Sequence, residues 1–332
     1  MPKPTFVYLT EPEIRSCVGL DKRAIEVIEE AFLRLSRGEA TVPPPMEFYV
    51  PEHDGEVHIK SALVKGMSSY ALKIASGFYK NSALGLQNSS GIVIVSSAET
   101  GYPQALLLDN GYLTDVRTAI AGAIAAKYLA KKKVETVGVV GVGIQARFQL
   151  EALALVRDFG KVLVYGRNAE AASKYCDEMS RKLGREVRPT ASVADLVRRS
   201  DLVVTTTPAK EPLIRESDLH PGLHITAMGA DLPGKQELDP NVLKRADRLV
   251  CDRKAHAMKS GELQHGFAAK LLTEQSEIIE LGEIIGGSKP GRRNDEEITV
   301  CDLTGVGVQD TAIGLLAYEE CTLQGLGTPI GS

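Results

Sequence analysis

Apolar positions near the start of the chain recur with helical spacing. Ile25, Ile28, Phe32 and Leu35 fall on one face between Asp21, a suitable N-cap, and Gly38, a suitable stop. Just upstream, Thr10-Glu11-Pro12-Glu13 has the spacing of a capping box. The pattern predicts that an amphipathic helix begins the protein. Residues 41 to 113 change character: Pro43-Pro44-Pro45 is followed by short segments, Glu56-Val57-His58-Ile59-Lys60, Tyr70 to Ser76 and Ile92 to Ser96, separated by Gly, Asn and Ser. Such segments read as an antiparallel sheet. From Thr114 the spacing returns to that of a helix rich in small residues, Ala119 to Ala130, closed by Lys131-Lys132-Lys133, where positive charge complements the helix C-terminal dipole.

A regular alternation follows: strand Thr136 to Val140, helix Ile144 to Arg157, strand Val162 to Tyr165, helix Ala169 to Leu183, helix Val193 to Arg199, and strands Leu202 to Thr206 and His224 to Met228. Strands at helix-length intervals predict βαβ units and a parallel sheet. Arg248 to Cys251 and Ile298 to Asp302 extend it, and a last helix, Gln309 to Cys321, precedes a Gly-rich tail. No internal repeat is evident, and no linker exceeds the Gly286 to Asp295 loop.

Composition narrows the class. At about 150 residues per domain, 332 residues suggest two domains or one with a large insertion. The hydrophobic share of 43% and charged share of 25% are those of a folded globular chain. With 39 Lys+Arg against 43 Asp+Glu, the net charge of -4 gives no electrostatic reason to bind nucleic acid or anionic lipid. The central apolar stretch, Thr118 to Ala126, falls short of a membrane span, and Met1-Pro2-Lys3-Pro4 leads into no apolar signal region, so a cytoplasmic protein is expected. Cys17, Cys176, Cys251, Cys301 and Cys321 are widely spaced and read as reduced, mostly buried thiols. His220 and His224 are separated by Pro221-Gly222 and cannot share a helix face, so no metal site is expected.

The strongest local signal is Val137-Gly138-Val139-Val140-Gly141-Val142-Gly143-Ile144-Gln145-Ala146, a buried strand entering Gly-x-Gly-x-x-Ala and then a helix. Gly141 permits the tight turn, Gly143 lets the backbone approach a pyrophosphate, and Ala146 allows close packing of helix on strand. The helix N-terminus at Ile144 and Gln145 offers N–H groups to the anion. The context predicts a bound nicotinamide dinucleotide, NAD(P); the alternative is a domain of this fold that binds none. The second strand ends Val164-Tyr165-Gly166-Arg167-Asn168, with no carboxylate for the adenosine ribose and with Arg167 placed for a 2′-phosphate. That favours NADP(H) slightly, unless Arg167 is merely solvated. Thr206, Thr207 and Pro208, at the end of a later strand, are expected to border the nicotinamide.

Three further segments make the chain resemble the ornithine cyclodeaminase/mu-crystallin family over nearly its whole length. Leu113-Thr114-Asp115-Val116-Arg117-Thr118-Ala119 is similar to the family's Leu-Thr-x-x-Arg-Thr-Ala; Ala71-Leu72-Lys73-Ile74 resembles its Gly-x-Lys segment; and Ala227-Met228-Gly229-Ala230-Asp231 matches the segment of its catalytic acid. The resemblance implies that Arg117 and Lys73 hold a substrate carboxylate, with Lys73 a possible proton donor, and that Asp231 is the acid. It also places Thr118, Met228 and Gly229 at the cofactor, and Thr304 and Gly305, within Asp302-Leu303-Thr304-Gly305-Val306-Gly307, at the substrate. Gly261-Glu262-Leu263-Gln264-His265 resembles a segment lining the same crevice, and with Leu107 to Thr118 its spelling is most similar to the ectoine-utilisation cyclodeaminase branch, iminosuccinate reductase also being similar. One departure stands out. Near Pro43 to Phe48 the family usually carries a carboxylate-binding arginine, whereas this chain offers Glu47, suited to a cationic side chain or amine or else an ordinary surface carboxylate.

Hydride exchange at an amino acid Cα requires a fixed cation for the α-carboxylate and an acid-base group for the nitrogen. Each of the three residues also has a plain structural explanation: Arg117 as an interdomain salt bridge, Lys73 as a solvated strand lysine, Asp231 as a helix N-cap. Lys60 and His265 are weaker candidates, and Gln309 and Asp310 most simply start the last helix, where acid complements the dipole. The resemblance implies an α/β fold with a Rossmann-type doubly wound nucleotide-binding domain, residues 119–308. Residues 1–118 and 309–332 would form a discontinuous α+β domain for substrate and dimerisation. It further implies an NAD(P)-dependent enzyme, a homodimer, acting on a small amino acid or its imine. The alternatives are a redox-neutral cyclodeaminase, or a nonenzymatic NADPH and ligand binder like mu-crystallin.

Overall fold

The computed structural model describes residues 5–331. The expectation about Met1–Pro4 therefore concerns residues outside those described. The chain divides into two compact units, Met1–Arg117 with Val306–Ser332, and Thr118–Gly305. The helix Tyr112–Leu129 runs through the first division. Its start is fixed by Asp109, whose Oδ2 accepts the Leu113 N–H at 2.8 Å.

In the first unit, the strands lie in the order Thr328–Ile330, Phe6–Thr10, Pro103–Leu108, Ser89–Ser97, Ser69–Phe78, Gly55–Val64, Ala40–Thr41, and Met46–Val50 also pairs with Gly55–Val64. The pairing is antiparallel except between Phe6–Thr10 and Pro103–Leu108. Two expectations are corrected here. The described chain begins with a strand rather than a helix, because Phe6-Val7-Tyr8-Leu9-Thr10 is all β-branched, aromatic or apolar up to its final Thr. The Gly-rich tail likewise ends in a short strand, Thr328–Ile330, which closes the edge of Phe6–Thr10. The two expected N-terminal helix signals serve separate helices. The Glu13 carboxylate accepts the Thr10 N–H at 2.8 Å at the head of Glu11–Cys17, and Asp21 accepts the Ala24 N–H at 2.8 Å at the head of Lys22–Ser36.

The last helix, Gly307–Leu323, is buried on all sides over its first eleven residues, which explains why no amphipathic stripe marks its start. It packs against Lys22–Ser36 and across the strands Gly55–Val64 and Ser69–Phe78. Gly307 sits so close that a Cβ there would lie 2.2 Å from the Ser61 carbonyl oxygen.

In the second unit, every strand is parallel, in the order Glu186–Pro189, Phe159–Tyr165, Val134–Val140, Leu202–Thr205, His224–Ala227, Thr299–Asp302, Arg248–Cys251, Ile279–Glu280. Strand order reverses between Val134–Val140 and Leu202–Thr205, the switch point of a doubly wound sheet. The central strands are buried along their whole length, as apolar runs with helices on both faces require. The unit is thus an α/β, Rossmann-type domain. The Ile144–Ala154 helix ends three residues before the expected Arg157. Lys131 and Lys133, beyond the end of Tyr112–Leu129, pair with Asp201 and Glu135. The five cysteines are free, all but Cys17 buried. Among the described residues no helix is long and apolar enough to cross a membrane, and no group of three or more His, Cys, Asp or Glu could hold a metal ion.

Candidate functional site

The turn after Val134–Val140 separates two glycines with different reasons to be glycine. Gly141 has φ +115°, and a Cβ on it would lie 2.5 Å from Thr206 Oγ1, so the chain itself forbids a side chain. Gly143 is extended, and a Cβ there would meet nothing within 4 Å. Its bareness is not demanded by the protein and leaves a surface on which a pyrophosphate fits. Gly143 N-caps the Ile144–Ala154 helix without any side-chain cap, so the N–H groups of Ile144 and Gln145 face the same opening. Ala146 is fully buried, and its carbonyl accepts the Tyr175 hydroxyl at 2.9 Å. Arg147 straps the turn by donating to the Val142 and Gly143 carbonyls and to Glu178. The residues present fit a dinucleotide.

Other expected cofactor residues have defined surroundings. Arg167 is exposed at the end of Phe159–Tyr165, and Asn168 is used as the N-cap of Ala169–Leu183, accepting the Ala171 N–H at 2.9 Å. The Thr118 carbonyl accepts from Gln149 Nε2 at 3.0 Å. Thr206 donates its N–H to the Val140 carbonyl at 2.9 Å. Thr207 and Gly229 meet at a residue that sequence reasoning missed, the fully buried Glu237: Oε1 accepts the Thr207 N–H and hydroxyl, each at 2.7 Å, and Oε2 accepts the Gly229 N–H at 2.9 Å. Met228 N–H goes to the Thr205 carbonyl at 3.0 Å.

Behind Glu237 lie more buried acids. Glu262 accepts the N–H groups of Glu237 and Leu238 at 2.7 and 3.1 Å, and Asp302 accepts that of Leu263 at 2.9 Å. Burial pushes the Glu237 and Glu262 carboxyls up, and pushes Asp302 up to about 8. Thr304 and Gly305 turn to Asp252, whose Oδ2 accepts their N–H groups at 2.8 and 2.6 Å.

Asp231 follows the strand His224–Ala227 and is not a helix cap. Its Oδ1 pairs with Lys235 Nζ at 2.9 Å, and its side chain is 37% exposed. The segment is tied down from the Leu263–Ala268 helix: Gln264 Oε1 accepts the Gly234 N–H at 3.0 Å, and His265 Nε2 lies 2.8 Å from the Lys235 carbonyl. His265 thus ties down the loop that carries Asp231.

In the first unit, strand register places Lys60 beside Lys73, and the two helices bring Arg117 and Asp310 to them. Asp310 Oδ1 lies 2.9 Å from Arg117 Nε and 3.4 Å from Lys73 Nζ. All four side chains are buried. Lys73 is therefore no solvated strand lysine, and Arg117 pairs within its own unit. Burial brings the Lys73 ammonium down to about 7; Arg117 and Lys60 add to the fall, and Asp310 opposes it. Although burial alone would raise Asp310, the Arg117, Lys73 and Lys60 charges hold its carboxyl below the usual range. Asp310 Oδ2 is buried without a hydrogen-bond partner among the described residues. Glu47 is not part of this cluster. It faces inward on Met46–Val50, 19% exposed, with Oε1 3.5 Å from His58 Nδ1, while His58 Nε2 lies 3.7 Å from Glu56. Asp310 was legible only as a helix start; its partners lie 193 and 237 positions away.

Comparison with known proteins shows the family. The model of the ornithine cyclodeaminase/mu-crystallin family matches residues 7–324. A Δ1-pyrroline-2-carboxylate reductase of Thermococcus litoralis, solved in complex with NADH and L-proline, is 32% identical, covering 98% of this chain and 100% of its own, with a TM-score of 0.92. An archaeal alanine dehydrogenase dimer with bound NAD is 35% identical, covering 98% and 99%, with a TM-score of 0.91. The iminosuccinate reductase of Paracoccus denitrificans, in complex with NAD+, is 31% identical, covering 99% and 100%, with a TM-score of 0.90. Matched by the family model over nearly its full length, the chain belongs to the ornithine cyclodeaminase/mu-crystallin family.

Proposed function

We propose that the protein is an NAD(P)-dependent oxidoreductase that interconverts a small amino acid and its imine, as an imine reductase or amino-acid dehydrogenase. The observation that carries this reading is the buried cluster in which Lys73 and Arg117 meet on Asp310, with Lys60 beside them. Buried cations are stabilised by anions brought against them, and the α-carboxylate of an amino acid is an anion suited to Arg117 and Lys73. Arg117 gives its Nε to Asp310, which leaves its terminal nitrogens for a bidentate grip. Lys73, titrating near neutrality, can hold the carboxylate as an ammonium or deliver a proton to the imine nitrogen. Asp231 is the acid-base group for the substrate nitrogen.

Gly141, Gly143, Ile144, Gln145 and Ala146 would hold the pyrophosphate, with Thr118, Thr206, Thr207, Pro208, Met228 and Gly229 toward the nicotinamide. When bound, the nicotinamide supplies or accepts the hydride exchanged with Cα. Arg167, with no carboxylate at the end of its strand, supports a slight preference for NADP(H), which the ratio of NADP+ to NAD+ dissociation constants reads directly. We further propose a homodimer, a reading supported by the archaeal relative being a dimer, and a cytoplasmic location.

One observation favours a second reading. Glu47, where the family usually has arginine, faces inward beside His58 and suits the side-chain amine of a diamino acid, the substrate of a redox-neutral cyclodeaminase. Anaerobic incubation with NAD(P)+ and a panel of amino acids separates the two. Growth of reduced-nicotinamide absorbance supports the oxidoreductase; ammonia without net absorbance change supports the cyclodeaminase. If the protein binds NADPH but neither releases ammonia from diamino acids nor oxidises NADPH with 2-oxoacids plus ammonia or methylamine, it is a nonenzymatic binder.

A further inference from the structure

The carboxylate anchor contains one group of the wrong sign for binding a carboxylate. Asp310 stands in the first turn of the last helix, and the residues around it are clamped to the strand Gly55–Val64. Gly307 abuts the Ser61 carbonyl, and Thr311 Oγ1 donates to the Ala62 carbonyl at 2.9 Å. Gln309 Oε1 accepts the Val306 N–H at 2.8 Å and fixes the helix start. These contacts leave Asp310 little freedom. A single oxygen, Oδ1, then meets Arg117 Nε at 2.9 Å and Lys73 Nζ at 3.4 Å.

We propose that Asp310 is the positioning residue of the anchor, bridging Lys73 and Arg117 so that two mutually repelling cations are held in one geometry for the incoming carboxylate. This rests on the anchor reading above. A long arginine and a long lysine, buried together with Lys60, would otherwise spread apart, and a substrate held between loose cations loses hydride alignment. The charge of Asp310 has a second effect. The groups facing Lys73 are Lys60 on the adjacent strand, Arg117 on Tyr112–Leu129, Asp310 on the last helix, and Asp109 in the turn after Pro103–Leu108. Of the two acids, Asp310 is the one that raises Lys73, by its charge and by a hydrogen bond, and so is the main group favouring the Lys73 ammonium.

The test is Asp310→Asn, which keeps shape and removes charge, with Asp310→Glu restoring charge on a longer arm. In protein labelled with [ε-13C]lysine, the Lys73 resonance, identified by its loss in Lys73→Met, should titrate at least one pH unit lower in the Asn variant. The high-pH limb of kcat/KM should move down by the same amount, with kcat falling more than KM rises. The Glu variant should return both titrations toward wild type. An unchanged Lys73 titration and unchanged pH profile in Asp310→Asn, or a Glu variant displaced as far as the Asn variant, would overturn the proposal. The NMR titration needs no turnover, so a wild-type protein inactive on every amino acid would refute the anchor reading while leaving the role of Asp310 separately decided.

Discussion

Asp231, the proposed acid, is not marked out by burial. Its side chain is 37% exposed and paired to Lys235, an arrangement common on any surface, yet its loop is held by Gln264 and His265 from a separate helix. If it moves the proton on the substrate nitrogen, Asp231→Asn will bind NAD(P)+ with wild-type affinity, followed by fluorescence titration, and lose at least about 100-fold in kcat. Unchanged turnover would remove it from the mechanism. Gly143 makes the opposite case, a residue defined by what it lacks. Because its backbone is extended and its surroundings open, Gly143→Val should leave thermal unfolding unchanged while weakening cofactor binding at least about tenfold, about 1.4 kcal/mol. Lys73, Arg117, Asp231 and the glycines could be singled out as candidates because each sits in a short contiguous segment. Glu237 and Asp310 were not, since their meaning depends on partners distant in sequence: Thr207 and Gly229 for one, Lys73 and Arg117 for the other.

At the scale of elements, local chemistry fixed starts better than ends. Asp21 was readable as an N-cap, and its side chain does accept the Ala24 N–H. Asp21→Ala should therefore lower stability by about 1 kcal/mol, read as a lower urea midpoint with unchanged slope. The long alternation from Val134 to Ala227 was legible because apolar strands and amphipathic helices differ in period. The strand Phe6–Thr10 was hidden because five residues are too few to show a period beside a strong capping signal. The helices Pro240–Arg245, Lys254–Ser260, Leu263–Ala268 and Leu281–Ile285 span only five to seven residues each, hardly two turns, and carry no stripe to read.

At the scale of the whole molecule, the alternating pattern announced an α/β chain, but not the acids sealed inside the nucleotide-binding unit. Asp302 is fully buried, and burial lifts its carboxyl to about 8 against an ordinary 3.8, with Asp252 and Glu237 adding to the rise. A folded-state value above the unfolded one means that the folded protein keeps a proton which the unfolded chain has released. The contribution of Asp302 is therefore fully present below about pH 4 and is lost progressively as pH rises toward and through 8. Glu262 and Glu237 shift in the same direction. His224 acts on the acid side: burial, with the Arg292 charge, lowers it to about 3 from 6.5, so its contribution is lost as pH falls below about 6.5. Asp302→Asn keeps an acceptor for the Leu263 N–H and cannot ionise. Urea denaturation at pH 6 and pH 9 should then show the wild type losing more stability than the variant over that interval. Equal losses would mean that Asp302 is already ionised at pH 6 and that its charge is accommodated by the N–H groups of Leu263 and Glu262, in which case the buried acids of this unit act as anion acceptors for its loops and not as proton stores.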